Sequence, residues 1–141
     1  MKKKIHKLAA ESNESFILIG IVSHENDYRL SWAFNQQIGL KLIKSKNIIV
    51  SQPKLEENPI FAVFKSEDEE SLIQYYLITN KSEYGYLVPE LKNVDYILKI
   101  CGESTEETAI MLLNQIKKVE FVIAAFLIEG LPAKSLKNLI F

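Results

Sequence analysis

The chain is poor in the residues that usually announce a function. It has one cysteine, one tryptophan and, in Arg29, one arginine among 141 residues. The lone Cys101 forms no internal disulfide, which fits a reducing cytosol and leads us to expect a cytoplasmic protein. The five glycines are dispersed, so there is no glycine-rich phosphate loop and no Gly-x-Ser-x-Gly elbow. His6, His24 and Cys101 lack the spacing of metal ligands. No apolar run reaches the roughly 18–20 residues that span a bilayer. Acidic and basic residues nearly cancel, to a net charge of −1, so no overall field draws in nucleic acid or an anionic membrane. The lysines are not collected with aromatics on one face, which also argues against RNA or DNA. These absences lead us to expect no cofactor, no metal, no nucleic acid and no membrane, and they weigh against an enzyme.

What is present is a core. At 48% hydrophobic and 25% charged, residues 1–141 read as a single globular domain. Residues 1–14 open with lysines but no long apolar stretch follows, so they read as a loosely ordered tail rather than a signal peptide. Residues 16–22 are apolar on both faces, as in an inner strand. Ser23 then reads as a helix N-cap, with Glu25 and Asp27 in an acidic first turn and Gly39 as the stop. On that helix Leu30, Ala33, Phe34, Gln37 and Ile38 form the stripe that should pack on a sheet. Glu25, Tyr28, Arg29, Trp32 and Gln36 lie opposite. Aromatics beside an arginine are what binding surfaces concentrate. Either residues 131–141 fold over this face, or a second subunit or protein partner does.

Residues 40–50 offer one strand or two short ones broken near 45–47, and residues 51–59 form a loop. Residues 60–65 and 72–79 read as an antiparallel hairpin across an acidic turn that lacks the spacing of a calcium loop. Residues 80–85 are a further turn. Ser104 and Glu107 make a capping box. It opens a helix whose stripe is Ala109, Leu112, Leu113, Ile116 and Val119. Residues 121–128 are apolar all round and rich in Phe and β-branched residues, so we read them as an inner strand rather than more helix.

The densest local chemistry lies at 86–101. Pro89 suits the first position of a helical turn, with Glu90 in its acidic start. From Asp95 the chain alternates, with Tyr96, Leu98 and Ile100 on one face and Ile97, Lys99 and Cys101 on the other. Glu90 and Asp95 thus stand at the mouth of a strand. They could do acid/base work with His24, but no nucleophile or metal ligand accompanies them, and hydrogen bonding to loop amides or pairing with a cation is the plainer role. The lone Arg29 should pair with Glu90 or Asp95 across the fold, or with Glu25 one turn back. The run Val88-Pro89-Glu90-Leu91-Lys92-Asn93-Val94-Asp95-Tyr96 resembles the signature of the bacterial IPExxxVDY family, with valine in place of the leading isoleucine. The likeness extends to Ser23-His24-Glu25-Asn26-Asp27-Tyr28-Arg29-Leu30 and to the closing Asn138-Leu139-Ile140-Phe141. It implies membership and no particular activity.

The element order predicts an α+β fold: a mostly antiparallel or mixed sheet with two main helices on one face, a split ferredoxin-like two-layer sandwich with an extra hairpin. Two amphipathic helices cover one face only. The other must be sealed by the hairpin, the C-terminal tail packing on the domain, or a second copy in a homodimer. The expected function is a non-enzymatic module acting through protein contacts, or alternatively a small-ligand sensor at a sheet edge or dimer seam. The candidate residues are Tyr28, Arg29, Trp32, Glu90 and Asp95.

Overall fold

The computed structural model describes residues 16–51, 57–68, 70, 72–102 and 106–141. The expected tail at 1–14 and Ser104 of the capping box lie outside them. Ten strands and three helices are described: β1 (Phe16–Val22), α1 (Asp27–Ile38), β2 (Ile43–Lys44), β3 (Ile48–Ile49), β4 (Ile60–Phe61), β5 (Val63–Asp68), β6 (Ile73–Thr79), β7 (Lys81–Ser82), β8 (Gly85–Tyr86), β9 (Tyr96–Gly102), α2 (Glu106–Ile116), β10 (Ala124–Ile128) and α3 (Ala133–Lys137). The fold is α+β, with a six-stranded sheet in the order β10-β1-β9-β6-β5-β2. Every neighbouring pair in it is antiparallel. It follows that β9 and β10 run in the same direction with β1 between them, joined by α2. In the same way β1 and β6 flank β9.

The alternation of β9 sorts its side chains between two cores. Tyr96, Leu98 and Ile100 join Ile17, Ile19 and Ile21 of β1 beneath the helices. There they meet Leu30, Ala33 and Phe34 of α1 and Ala109, Leu112, Leu113 and Ile116 of α2, so both helices lie on one face. Burying stripes of this kind contributes roughly 1.5–3 kcal/mol per large side chain. Helix α1 begins later than expected. Asn26, not Ser23, is its N-cap, its side chain accepting from the Arg29 N–H at 2.9 Å. Ser23 instead accepts the Glu25 N–H at 3.1 Å in the preceding turn. Gly39 closes the helix at φ 77°, a left-handed conformation that glycine adopts without steric cost.

The second face of the sheet carries its own core, formed by Phe16, Leu18, Val63, Ile78 and Ile97 with a cover from the same chain. That cover is the β3–β4 ribbon through Phe61, the loop of Leu87, Val88 and Val94, and the C-terminal segment through Leu136 and Leu139. Residues 131–141 therefore do not fold over the outer face of α1; they pack on the opposite layer. Of the three covers expected for this face, the C-terminal tail supplies one part and a ribbon and loop of the same chain supply the rest, so the sheet does not require a second subunit to shield it.

Residues 121–128 do form a strand over 124–128, but among the described residues it is an edge strand, paired only with β1. The chain leaves α2 through a tight turn, with Phe121 at φ 85°, and the Glu120 N–H is held by the Gln37 side chain at 3.0 Å. Opposite Phe126 in the ladder stands Gly20, and the Phe126 ring lies 3.0 Å from where a Cβ at position 20 would be. A larger residue there would push the ring out of its place over β1.

Candidate functional site

The five singled-out residues do not converge. Arg29 pairs through Nε with Glu25 Oε1 at 3.5 Å and lies 5.0 Å from the centre of the Phe121 ring. The i,i+4 partner wins over Glu90 and Asp95 because it stands one turn back, just before the N-cap, and needs no crossing of the fold. Tyr28 and Trp32 are 62% and 55% exposed. Tyr28 meets Phe64 of β5 edge-on, with ring centres 5.3 Å apart. The Phe64 ring itself carries Lys44 Nζ at 6.0 Å.

Glu90 and Asp95 serve different layers. Glu90 accepts a hydrogen bond from Ser135 Oγ of α3 at 2.6 Å, and that bond holds its carboxyl below the usual range. Asp95 clamps the other end of the loop. Its Oδ2 accepts the Ser23 N–H at 2.9 Å, and its Oδ1 meets Lys81 Nζ at 2.8 Å. The bond to Asp95 raises the Lys81 ammonium above its ordinary value. With both oxygens engaged by donors, Asp95 works as a strut between β1, β7 and β9. The hollow that Asp95 lines includes neither Glu90 nor Arg29.

Around Asp95 an open hollow of about 350 Å³ is lined by Ser23, His24, Glu25, Thr79, Lys81 and Tyr96. Tyr96 donates its hydroxyl proton to the Glu25 carbonyl, and burial pushes its pKa up. A phenol held in this way is a structural donor rather than an acid at neutral pH. The hollow brings His24 beside Asp95 but leaves Glu90 out, so the pair of carboxylates considered for acid/base work is not assembled. Among the described residues no group of three or more His, Cys, Asp or Glu could hold a metal ion. Also among them, no helix is long and apolar enough to cross a membrane.

Two residues that organise this region were not singled out from the sequence. Asn80, read only as part of a turn, is fully buried. Its Nδ2 donates to the carbonyls of Leu91 and Val94 at 2.8 and 2.9 Å, and its Oδ1 accepts the Val88 N–H at 2.8 Å. One side chain thus satisfies three backbone groups of the Val88–Tyr96 run, while its own backbone bonds Leu87 and Asp95. Nothing local distinguishes it from any turn asparagine. Lys99 is the second, at 1% exposure. The signal for it was available: its face of β9 is otherwise Ile97 and Cys101, so a lysine there must enter an apolar layer.

No family model matches the chain, and no curated protein or solved structure matches it.

Proposed function

We propose that the chain is a non-catalytic α+β module that works through protein contacts on the outer face of α1, with a second copy of itself as the occupant. The observation that carries this reading is the exposure of Tyr28 and Trp32 side by side on one helix. Aromatic residues of this size usually bury when nothing else needs them, and they dominate interface energetics. The chain's own tail packs on the opposite layer, so it is no rival for this face. A helix surface is also readily self-complementary, since two copies packed about a two-fold axis set aromatic against aromatic. The reading includes a cytoplasmic setting, resting on the single cysteine.

The strand order β10-β1-β9-β6, with the β2–β5 region inserted after α1, supports a ferredoxin-like core with an added edge. The proposed membership of the IPExxxVDY family rests on the residues from Val88 to Tyr96. In the fold these residues form a cover loop tied down by Asn80, Ser23 and Ser135. That is a structural use of a motif, consistent with a family signature that carries no chemistry.

Light scattering and sedimentation on the wild type and on Trp32→Ala test the proposal. A dimer at micromolar concentration that dissociates in the variant supports it. A wild-type monomer at about 100 µM, a concentration at which any interface of usual size would be populated, removes the self-association reading.

A further inference from the structure

On the sheet face opposite α1 lies an open groove of about 750 Å³. Its floor is Val63, Lys65 and Tyr76; Ile48 and Val50 form one side, and Ile140 and Phe141 the other. Among the described residues that line it, every charged side chain is a lysine: Lys46, Lys65 and Lys137. The chain as a whole carries −1, so this is a local excess of one sign. Lys65 is partly neutralised by Glu67, 3.2 Å away. Lys46 and Lys137, both exposed and on opposite sides, supply the rest of the field.

Beneath the groove is the ammonium of Lys99. It lies 5.2 Å from the centre of the Tyr76 ring and 4.1 Å from that of Phe141, the same two rings that face the groove. It also donates to the Leu139 carbonyl. Lys99 is thereby a positioning residue: it holds down the segment that forms one side. Lys65 Nζ lies 5.6 Å from the Tyr76 ring, so two cations address one aromatic floor. A cleft of this volume, with apolar walls and a few charges of one sign, is suited to a small molecule.

We propose that this groove binds an amphipathic small anion. Its carboxylate or phosphate headgroup sits between Lys46 and Lys137, and its apolar body lies along Val63, Tyr76 and Ile140. Lysine ammonium groups recognise such headgroups as point charges without demanding a fixed geometry. The groove and the outer face of α1 are on opposite layers, so failure of either proposal leaves the other standing.

The test is titration of the full chain with octanoate and with octyl phosphate, read by amide chemical shifts, with octan-1-ol and inorganic phosphate as controls. The expected result is movement of amides at 48–50, at 76 and at 137–141, with at least one of the two anions binding about tenfold or more tighter than octanol. The tighter anion assigns the headgroup. The exposed double substitution Lys46→Gln, Lys137→Gln should weaken that anion about tenfold and leave octanol unchanged. Equal affinity for octanol and both anions overturns the charge recognition. Equal affinity for inorganic phosphate and octyl phosphate overturns the amphipathic class. No movement of groove amides with either anion overturns the site.

Discussion

The ammonium of Lys99 lies 4.1 Å from the centre of the Phe141 ring, within the apolar cluster on the second face of the sheet. Moving an ammonium out of water without compensation costs several kcal/mol or shifts its protonation. Here the rings of Phe16, Tyr76 and Phe141 surround it, and the Leu139 carbonyl accepts from it. Ring faces and a carbonyl are both partners for a cation. The same contacts tie strand β9 to the C-terminal segment, so one buried charge both costs desolvation and fastens a cover.

Lys99→Met keeps the length of the stem and removes the donor. The Leu139 carbonyl then loses a partner, which costs about 1–3 kcal/mol when the group is buried. Because the bond is local to the cover, the expected outcome is faster hydrogen exchange at amides of 136–141, with smaller changes in β1 and β9. Unchanged exchange there would show that apolar packing by Leu136 and Leu139 suffices to hold the segment.

Asn80→Ala strips the Val88 N–H and the Val94 carbonyl of their side-chain partner and leaves the Leu91 carbonyl to the Val94 N–H, 3.1 Å away. The expected loss is about 3 kcal/mol or more, measured by urea denaturation. Asn80→Asp should be as damaging despite its similar shape. It keeps the acceptor for Val88 but turns the donor toward two carbonyls into a second acceptor. A loss below about 1 kcal/mol in both variants would mean that water replaces the side chain.

Gly102 ends β9 at φ 98°, and a Cβ placed there would lie 2.1 Å from the backbone carbonyl oxygen of Leu72. Leu72 itself has a positive φ of 57°, so the turn into β6 has little room to move. Gly102→Ala should therefore cost more than the roughly 1 kcal/mol of an ordinary left-handed site, with the Ile73 to Gly102 end of the ladder opening first. Thermal denaturation together with amide shifts at 72–74 would check it. A wild-type melting temperature would sink the assignment.

Glu90 carries the clearest pH dependence. Its carboxyl is held below the usual range by the Ser135 hydroxyl, so the charged form is favoured in the folded state. That contribution is present above the ordinary glutamate pKa of about 4.3 and is lost as the pH falls through the depressed folded value. The gap in urea midpoint between wild type and Glu90→Gln should be largest near neutrality and shrink in acid. A gap independent of pH between about pH 6 and 3 would show that Glu90 acts without its charge.

Much of the candidate surface could be read without coordinates, and much of its wiring could not. The stripe of α1 placed Tyr28 and Trp32 on the outside because helical periodicity is set by backbone geometry alone. The partner of Arg29 was a choice among three acids, and the nearest in the chain took it. Glu90 and Asp95 stand close together in sequence, yet Ser135 holds one and Ser23 with Lys81 the other. Those partners come from a helix, a turn and a strand outside the loop, so no reading of the loop by itself could name them. Residues 121–128 show the same division. That a strand lies here was read from Phe and β-branched content, whereas its start at Ala124, after a turn through Phe121, and its place at the sheet edge depend on how the chain returns to β1.

The sequence by itself did not show α3 within the tail or Asn26 as the first N-cap, but it determined where the long strands and the two main helices lie, which side of each of those helices is apolar, and that Gly39 must end the first helix. These are matters of local geometry, set by steric limits on φ and ψ and by side-chain spacing of 2 or 3.6 residues. Only the tertiary structure decided that the tail covers the layer opposite α1, that Asn80 sits beneath the Val88–Tyr96 run, and that Lys99 lies among Phe16, Tyr76 and Phe141. Each of those depends on strand order, which brings together groups many residues apart; periodicity says which face a residue is on, and not what stands across from it.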